Sequence, residues 1–227
     1  MRLRLLRFPL LLLLAGWLLA TPQTSTAQNS AASQPLQRKT STPYTGDLSI
    51  FESPGRDEKL HINRVMDILA IQPDKVVADI GAGSGWFTVR AAKRVTNTGT
   101  VYALDINPDA VAYIKQRVEK EQLRNVKTIR NEPDDPALPA NSIDSVLLLK
   151  TYHEVVDPVT LLRNLRASLK PGARVGVIDR NGNGQDHGVQ KEVVIREADE
   201  AGYRIIEEHD DLVKGDKMDY FLVFGLK

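Results

Sequence analysis

Cysteine is absent from the 227-residue chain, which excludes a disulfide framework, a thiolate metal site and a cysteine nucleophile. A charge surplus is missing too. Lys and Arg number 30 against 29 Asp and Glu, a formal +1, so an extended nucleic-acid surface is not expected. The leucine-rich run from Phe8 to Ala20 covers 13 residues, short of the roughly 20 that a spanning helix needs. Arg2, Arg4 and Arg7 precede it, and the small residues Ser25 and Ala27 follow. Together these predict a signal peptide over residues 1–27, with Gln28 as the mature N-terminus. The arginines are not adjacent, so no twin-arginine signal is present, and without cysteine there is no lipobox.

The alternative for this segment is an uncleaved inner-membrane anchor over residues 1–20, which by the positive-inside rule also leaves the rest outside the cytoplasm. The expected location is periplasmic or secreted. A Ser/Thr/Gln/Pro-rich tether over 28–46 follows. Residues 47–227 remain as one domain of roughly 180 residues, enough for a well-buried core.

The chain is organised around Val76-Val77-Ala78-Asp79-Ile80-Gly81-Ala82-Gly83-Ser84-Gly85-Trp86. An apolar, partly β-branched run ending near an acid, three alternating glycines and helix-forming sequence read as strand, tight turn and helix start. Without Cβ atoms, Gly81, Gly83 and Gly85 allow positive φ and a close ligand approach. A dinucleotide fingerprint is G-x-G-x-x-G/A, with a small third residue. Trp86 stands at that position, so a compact cradle preceded by Asp79 suits a cationic ligand better than a pyrophosphate.

The spacing resembles motif I of the class I S-adenosylmethionine (SAM) dependent methyltransferases. The resemblance extends over about residues 56–227. It implies a Rossmann-like α/β fold: a seven-stranded, mostly parallel sheet with helices on both faces and the last strand antiparallel. SAM is the implied cofactor. The expected cofactor residues are Asp79, Gly81, Gly83, Gly85, Asp105, Ile106, Glu132 and Lys150. Asp105 ends the second strand, Thr100–Asp105, twenty positions after Gly85, where such folds place an acid on the ribose hydroxyls. Near the third strand, 126–130, many family members carry Gly-Asp. This sequence has Asn131-Glu132, so Glu132 takes the adenine role or is merely an acidic turn.

The apolar run 143–149 resembles the family's motif II strand and reads as central and buried on both faces. Thr151, Tyr152, His153 and Glu154 follow, just past a strand's carboxyl end, where open α/β sheets bind ligands. His153 is the candidate base, because an unperturbed imidazole exchanges its proton near neutral pH; Tyr152 is a second catalytic candidate. A helix is expected over 56–70, with His61 on its surface or in the acceptor pocket. Others are expected over 108–123, from Asp157-Pro158, and over 189–201. A strand over 174–179 follows the Lys170-Pro171-Gly172 junction, itself a recurrent family feature. Strands over 203–209 and 219–226 close the domain.

Asp179-Arg180-Asn181-Gly182-Asn183-Gly184 matches the opening of a calcium loop, but its twelfth position is Gln190 rather than Glu and a strand precedes it. A glycine-rich loop on the substrate side is the better reading, and no metal site is assigned. The lack of cysteine excludes cytosine-C5 and arsenite methylation as those families perform them. No Asn/Asp-Pro-Pro-Tyr/Phe motif points to amino methylation, so the expected acceptor is a small molecule, quinone-like or phenolic. Three alternatives stay open: an exported protein that binds an adenosyl ligand without turnover, an NAD(P)-dependent oxidoreductase, and a relic fold acting in protein interactions. Oligomeric state is not legible.

Overall fold

The computed structural model describes residues 38–227; the signal-peptide expectation for 1–27 lies outside them. The sheet has seven strands: β1 (Val76–Ile80), β2 (Thr100–Asp105), β3 (Val126–Arg130), β4 (Ile143–Leu149), β5 (Leu169–Asp179), β6 (Tyr203–Glu208) and β7 (Tyr220–Leu226). Their order is β3-β2-β1-β4-β5-β7-β6. The first five pair in parallel, and β7 inserts antiparallel between β5 and β6. The expected fold class is the one observed.

Alternation along β4 shows why the sheet is covered on both faces. Val146 and Leu148 pack with Leu161, Leu165, Val194 and Ala198, from α5 (Pro158–Arg166) and α6 (Lys191–Glu200). Leu147, between them, packs on the other face with Val65, Phe87 and Val95, from α2 (Ile62–Ile68) and α3 (Trp86–Val95). The N-caps follow the sequence. Asn107 accepts from the Asp109 N–H at the head of α4 (Pro108–Lys120), and Asp157 accepts from the Thr160 N–H at the head of α5.

Beyond differences of one to three residues at other element ends, two boundaries differ from expectation. The single helix expected over 56–70 is broken into α1 (Arg56–Lys59) and α2 at His61, which takes a left-handed φ of 46°. The turn buries Leu60 completely and leaves His61 exposed, away from the cavity. Strand β5 begins at Leu169 rather than 174, because Leu169 pairs with Ile143 ahead of an irregularity in the ladder.

The strand order reverses between β1 and β4. Connections from their carboxyl ends diverge there and open a crevice, the position at which doubly wound sheets hold ligands. Residues 79–84 at the end of β1, 105–107 at the end of β2, and 150, 151 and 153–156 after β4 reach it.

Candidate active site

The crevice is a cavity of about 560 Å³, within the usual range for a small-molecule site. At one end lies the glycine turn. Gly81, Gly83 and Gly85 have φ of 71°, 54° and 73°. The Gly81 and Ala82 N–H groups both donate to the Leu104 carbonyl at 2.9 Å, which ties the turn to β2. A Cβ on Gly81 would overlap the Thr151 side chain. The glycine therefore admits positive φ and also lets the β1 and β4 loops close on each other.

Asp105 stands beside this turn. Its Oδ2 accepts the Gly83 N–H and its Oδ1 the Asn107 N–H, both at 2.9 Å. A carboxylate has about four lone-pair positions, so both oxygens retain capacity toward the cavity that Asp105 lines. Burial raises its pKa, against the pull of those backbone donors. Asp79 is 2% exposed and its Oδ2 accepts from Thr88 Oγ1 at 2.6 Å. Burial pushes its pKa up to about 7, and the charge of Asp105 adds to the shift. Two acids thus face one end of the cavity, an arrangement that a ligand carrying positive charge relieves.

Asn131 is buried at the cavity wall, and its Oδ1 has no hydrogen-bond partner among the described residues. Its amide nitrogen donates to the Glu132 carbonyl at 2.7 Å. An orphaned buried acceptor costs about 1–3 kcal/mol, and a ligand amino group would satisfy it. The expected Glu132 is exposed and does not line the cavity; its neighbour holds that position. Ile106 lines the cavity and is 38% exposed. Lys150 lines it too, but its ammonium pairs with Asp216 at 2.9 Å. Trp86, the residue that departs from the dinucleotide pattern, is buried between the Arg56 and Arg90 guanidinium groups, 4.3 and 4.0 Å from its ring centre. It leaves no small-residue contact of the kind a pyrophosphate turn uses.

The other end of the cavity is built around His153, which is 4% exposed. Its Nδ1 lies 2.9 Å from both oxygens of Asp179, itself fully buried. Asp179 also accepts the backbone N–H groups of Arg180 at 2.9 Å and His153 at 3.2 Å. With Nδ1–H donated to the carboxylate, Nε2 carries the lone pair. Glu154 Oε1 lies 3.8 Å from Nε2. Burial pushes the Glu154 pKa up to about 7; the charge of His153 opposes this and those of Asp105 and Asp179 add to it.

Tyr152 is not brought to the cavity. It is completely buried and its hydroxyl donates to Glu197 at 3.0 Å, with Arg38 over its ring. Along a short 3₁₀ turn, consecutive side chains point apart, so His153 faces the crevice while Tyr152 faces the core. The expected substrate-side loop does reach the site, through Arg180 and His187. Asp179 is held by His153 and backbone amides rather than opening a calcium loop.

Part of the roof comes from the expected tether. The Ser41 N–H donates to the His153 carbonyl at 3.2 Å, and Ser41 Oγ donates to the Gly184 carbonyl at 2.8 Å and accepts the His187 N–H at 2.9 Å. Pro43, Tyr44, Leu48 and Phe51 then line the cavity, with Tyr44 edge-on to Phe51 at 5.4 Å. A polar, Pro-containing sequence carries no periodic signal for such a role; for Asn131, not among the expected residues, the available signal is its place at a strand's carboxyl end beside Glu132.

Residues 77–172 match the family model described as a methyltransferase domain. The demethylmenaquinone methyltransferase of Geobacillus sp. (strain WCH70) is 30% identical over 110 residues, 48% of this chain and 47% of that protein. The enzyme of the same name from Listeria welshimeri is 27% identical over 124 residues, 53% of this chain and 52% of its own. The chain spans about half the length of the curated relatives it matches. Among solved structures, a SAM-dependent methyltransferase from Aquifex aeolicus superposes with a TM-score of 0.71 at 24% identity, covering 81% of this chain and 100% of the other. The cyclase SpnF superposes with a TM-score of 0.65 at 15% identity, covering 83% and 87%. The resemblance and fold class read from the sequence are both borne out, and SAM is the cofactor they imply. The glycine turn, the spare lone pairs of Asp105 and the orphaned Asn131 Oδ1 fit it.

Proposed function

We propose that this methyltransferase-domain protein transfers a methyl group from SAM to a small-molecule acceptor within the cavity described above. When bound, SAM supplies a methyl group on a cationic sulfur. Asp105 accepts from the ribose hydroxyls, and Asn131 Oδ1 accepts from the adenine amino group. Asp79, ionised once a cation is beside it, balances the ligand's positive charge. The observation that carries the reading is this pairing of anionic and hydrogen-bond-accepting groups at one end with the His153–Asp179 pair at the other.

His153 Nε2 takes the proton of the acceptor, and Asp179 holds the ring in the tautomer that can do so. Tyr44, Leu48 and Phe51 exclude water from above. Most of the rate comes from alignment, and the base adds on the order of 10²–10⁴-fold. The apolar and aromatic roof suits a flat, largely apolar acceptor, quinone-like or phenolic; the two bacterial relatives, demethylmenaquinone methyltransferases by name, support that class. The test is release of demethylated SAM by the purified full chain across a library of such acceptors. Turnover with at least one phenolic or quinone-like compound is expected, and turnover with none of them contradicts the proposed acceptor class.

We also propose export, with cleavage after Ala27, from the basic start, the apolar run and the Ser25-x-Ala27 site. N-terminal sequencing after fractionation tests it: a mature chain starting at Gln28 outside the cytoplasm supports export, and an intact Met1 in the soluble cytoplasmic fraction contradicts it. A cell that makes SAM inside would leave an exported domain short of it, and binding without turnover is then the second reading.

A further inference from the structure

No metal site is assigned from the sequence, yet the fold brings three ligand-type side chains from two loops to one end of the cavity. His153 and Glu154 follow β4, and His187 comes from the loop between β5 and α6. One ligand atom from each lies within 4.8 Å of the others. The His153 and His187 rings meet edge to face, their centroids 5.7 Å apart.

We propose that His153, Glu154 and His187 bind one divalent transition-metal ion at the acceptor end of the cavity. Two imidazole nitrogens and one carboxylate oxygen suit Zn²⁺, Co²⁺ or Fe²⁺; Mg²⁺ and Ca²⁺ favour oxygen-only sets. The surroundings of the ligands support the assignment independently. His153 Nδ1 is already committed to Asp179 at 2.9 Å, the carboxylate–histidine pairing that orients metal-ligating imidazoles and leaves Nε2 free to coordinate. His187 takes a left-handed φ of 58°. Its N–H is held by Ser41 at 2.9 Å and its carbonyl by the Arg180 Nε–H at 2.8 Å. Both contacts fix the backbone so that an otherwise exposed ring sits against His153.

Tetrahedral coordination at about 2.0–2.1 Å places ligand atoms about 3.4 Å apart. The cluster therefore closes by up to about 1.4 Å, through rotation of the exposed His187 and of Glu154. Three protein ligands leave a position open toward the cavity. Resting on the proposed methyl transfer, an acceptor hydroxyl filling that position would release its proton to water and keep an oxygen lone pair for the methyl group. In the metal-loaded chain His153 Nε2 ligates the ion and the acceptor's proton passes to water; in the metal-free chain Nε2 takes that proton itself.

The full chain, stripped with chelator, is titrated with Zn²⁺ by calorimetry and with Co²⁺ by visible absorption. One ion per chain with the absorption of tetrahedral Co²⁺ is expected, and H187Q and E154Q should each weaken binding at least tenfold. H209Q, which alters the separate His209–Glu207 pair, should bind as the unaltered chain does. Far-ultraviolet dichroism of each variant checks the fold. No binding at about 100 µM Zn²⁺, or equal binding by H187Q and E154Q, overturns the proposal. SAM titrated into the same samples separates the two readings: a chain that binds SAM but not Zn²⁺ overturns the metal site alone, and one that binds Zn²⁺ but not SAM supports the metal site while contradicting methyl transfer.

Discussion

Asp105 holds the cradle it also faces: its Oδ2 accepts the Gly83 N–H at 2.9 Å, joining the end of β2 to the turn after β1. The residue therefore shapes the site as well as lining its cavity. Asp105→Ala should weaken SAM binding by about 1.5–3 kcal/mol through lost charge-assisted hydrogen bonds. Asp105→Asn, which keeps one acceptor oxygen for Gly83, should lose less. Calorimetry on both variants checks this ordering; equal affinity in Asp105→Ala and the unaltered protein would contradict it.

Asp79 gives a pH dependence. Its folded pKa lies at about 7, above its ordinary 3.8, so between these values the folded state holds a proton that the unfolded state has lost. For this group, stability falls as pH rises through that window. A cationic ligand favours the ionised form, so SAM affinity should rise by up to about tenfold per pH unit below 7 and level off above it. Asp79→Asn should flatten the affinity trend, reduce the stability trend, of which Glu154 keeps a share, and bind SAM more weakly at pH 7.5. Thermal melts and calorimetry between about pH 5.5 and 7.5 measure them; an unchanged affinity slope in Asp79→Asn would exclude this residue as the cause.

His153→Gln should lower turnover at least a hundredfold while leaving SAM affinity within about threefold, because the side chain acts on the acceptor. Alanine is the poorer test. It leaves the fully buried Asp179 carboxylate without its ring partner, at a cost of about 1–3 kcal/mol, although two backbone donors remain. Turnover by a folded His153→Gln equal to that of the unaltered protein would leave alignment alone as the mechanism.

Gly81→Ala should destabilise the domain by about 1–3 kcal/mol, from a φ of 71° and from overlap with Thr151. Adding Thr151→Ala should recover the steric part and not the backbone part. Denaturant unfolding of the single and double variants separates the two contributions; no loss in Gly81→Ala would show that the turn relaxes freely.

The parts of this structure that were legible in the sequence are those with local causes. Continuous apolar runs mark β1 and β4, Asn107 and Asp157 cap their helices, and the glycine turn with Asp105 twenty positions on marks the cradle. What the sequence hid depends on distant partners. Nothing near Tyr152 announces that its hydroxyl reaches Glu197, and nothing near His153 names Asp179, 26 positions away. His61 breaks the first helix because burying Leu60 outweighs the cost of a left-handed residue, a balance struck by packing rather than by propensity. Ser41 joins the site through Gly184 and His187, contacts that a polar stretch cannot advertise.

The central claim is that the cavity between β1 and β4 is a SAM site. Isothermal calorimetry of the purified full chain with SAM and with its demethylated product tests it most directly. The account predicts one site per chain for both ligands, weakened by Asp105→Ala and unaffected by H209Q. Heat of binding for neither ligand at millimolar concentration, or saturable binding of a nicotinamide dinucleotide in their place, would contradict it.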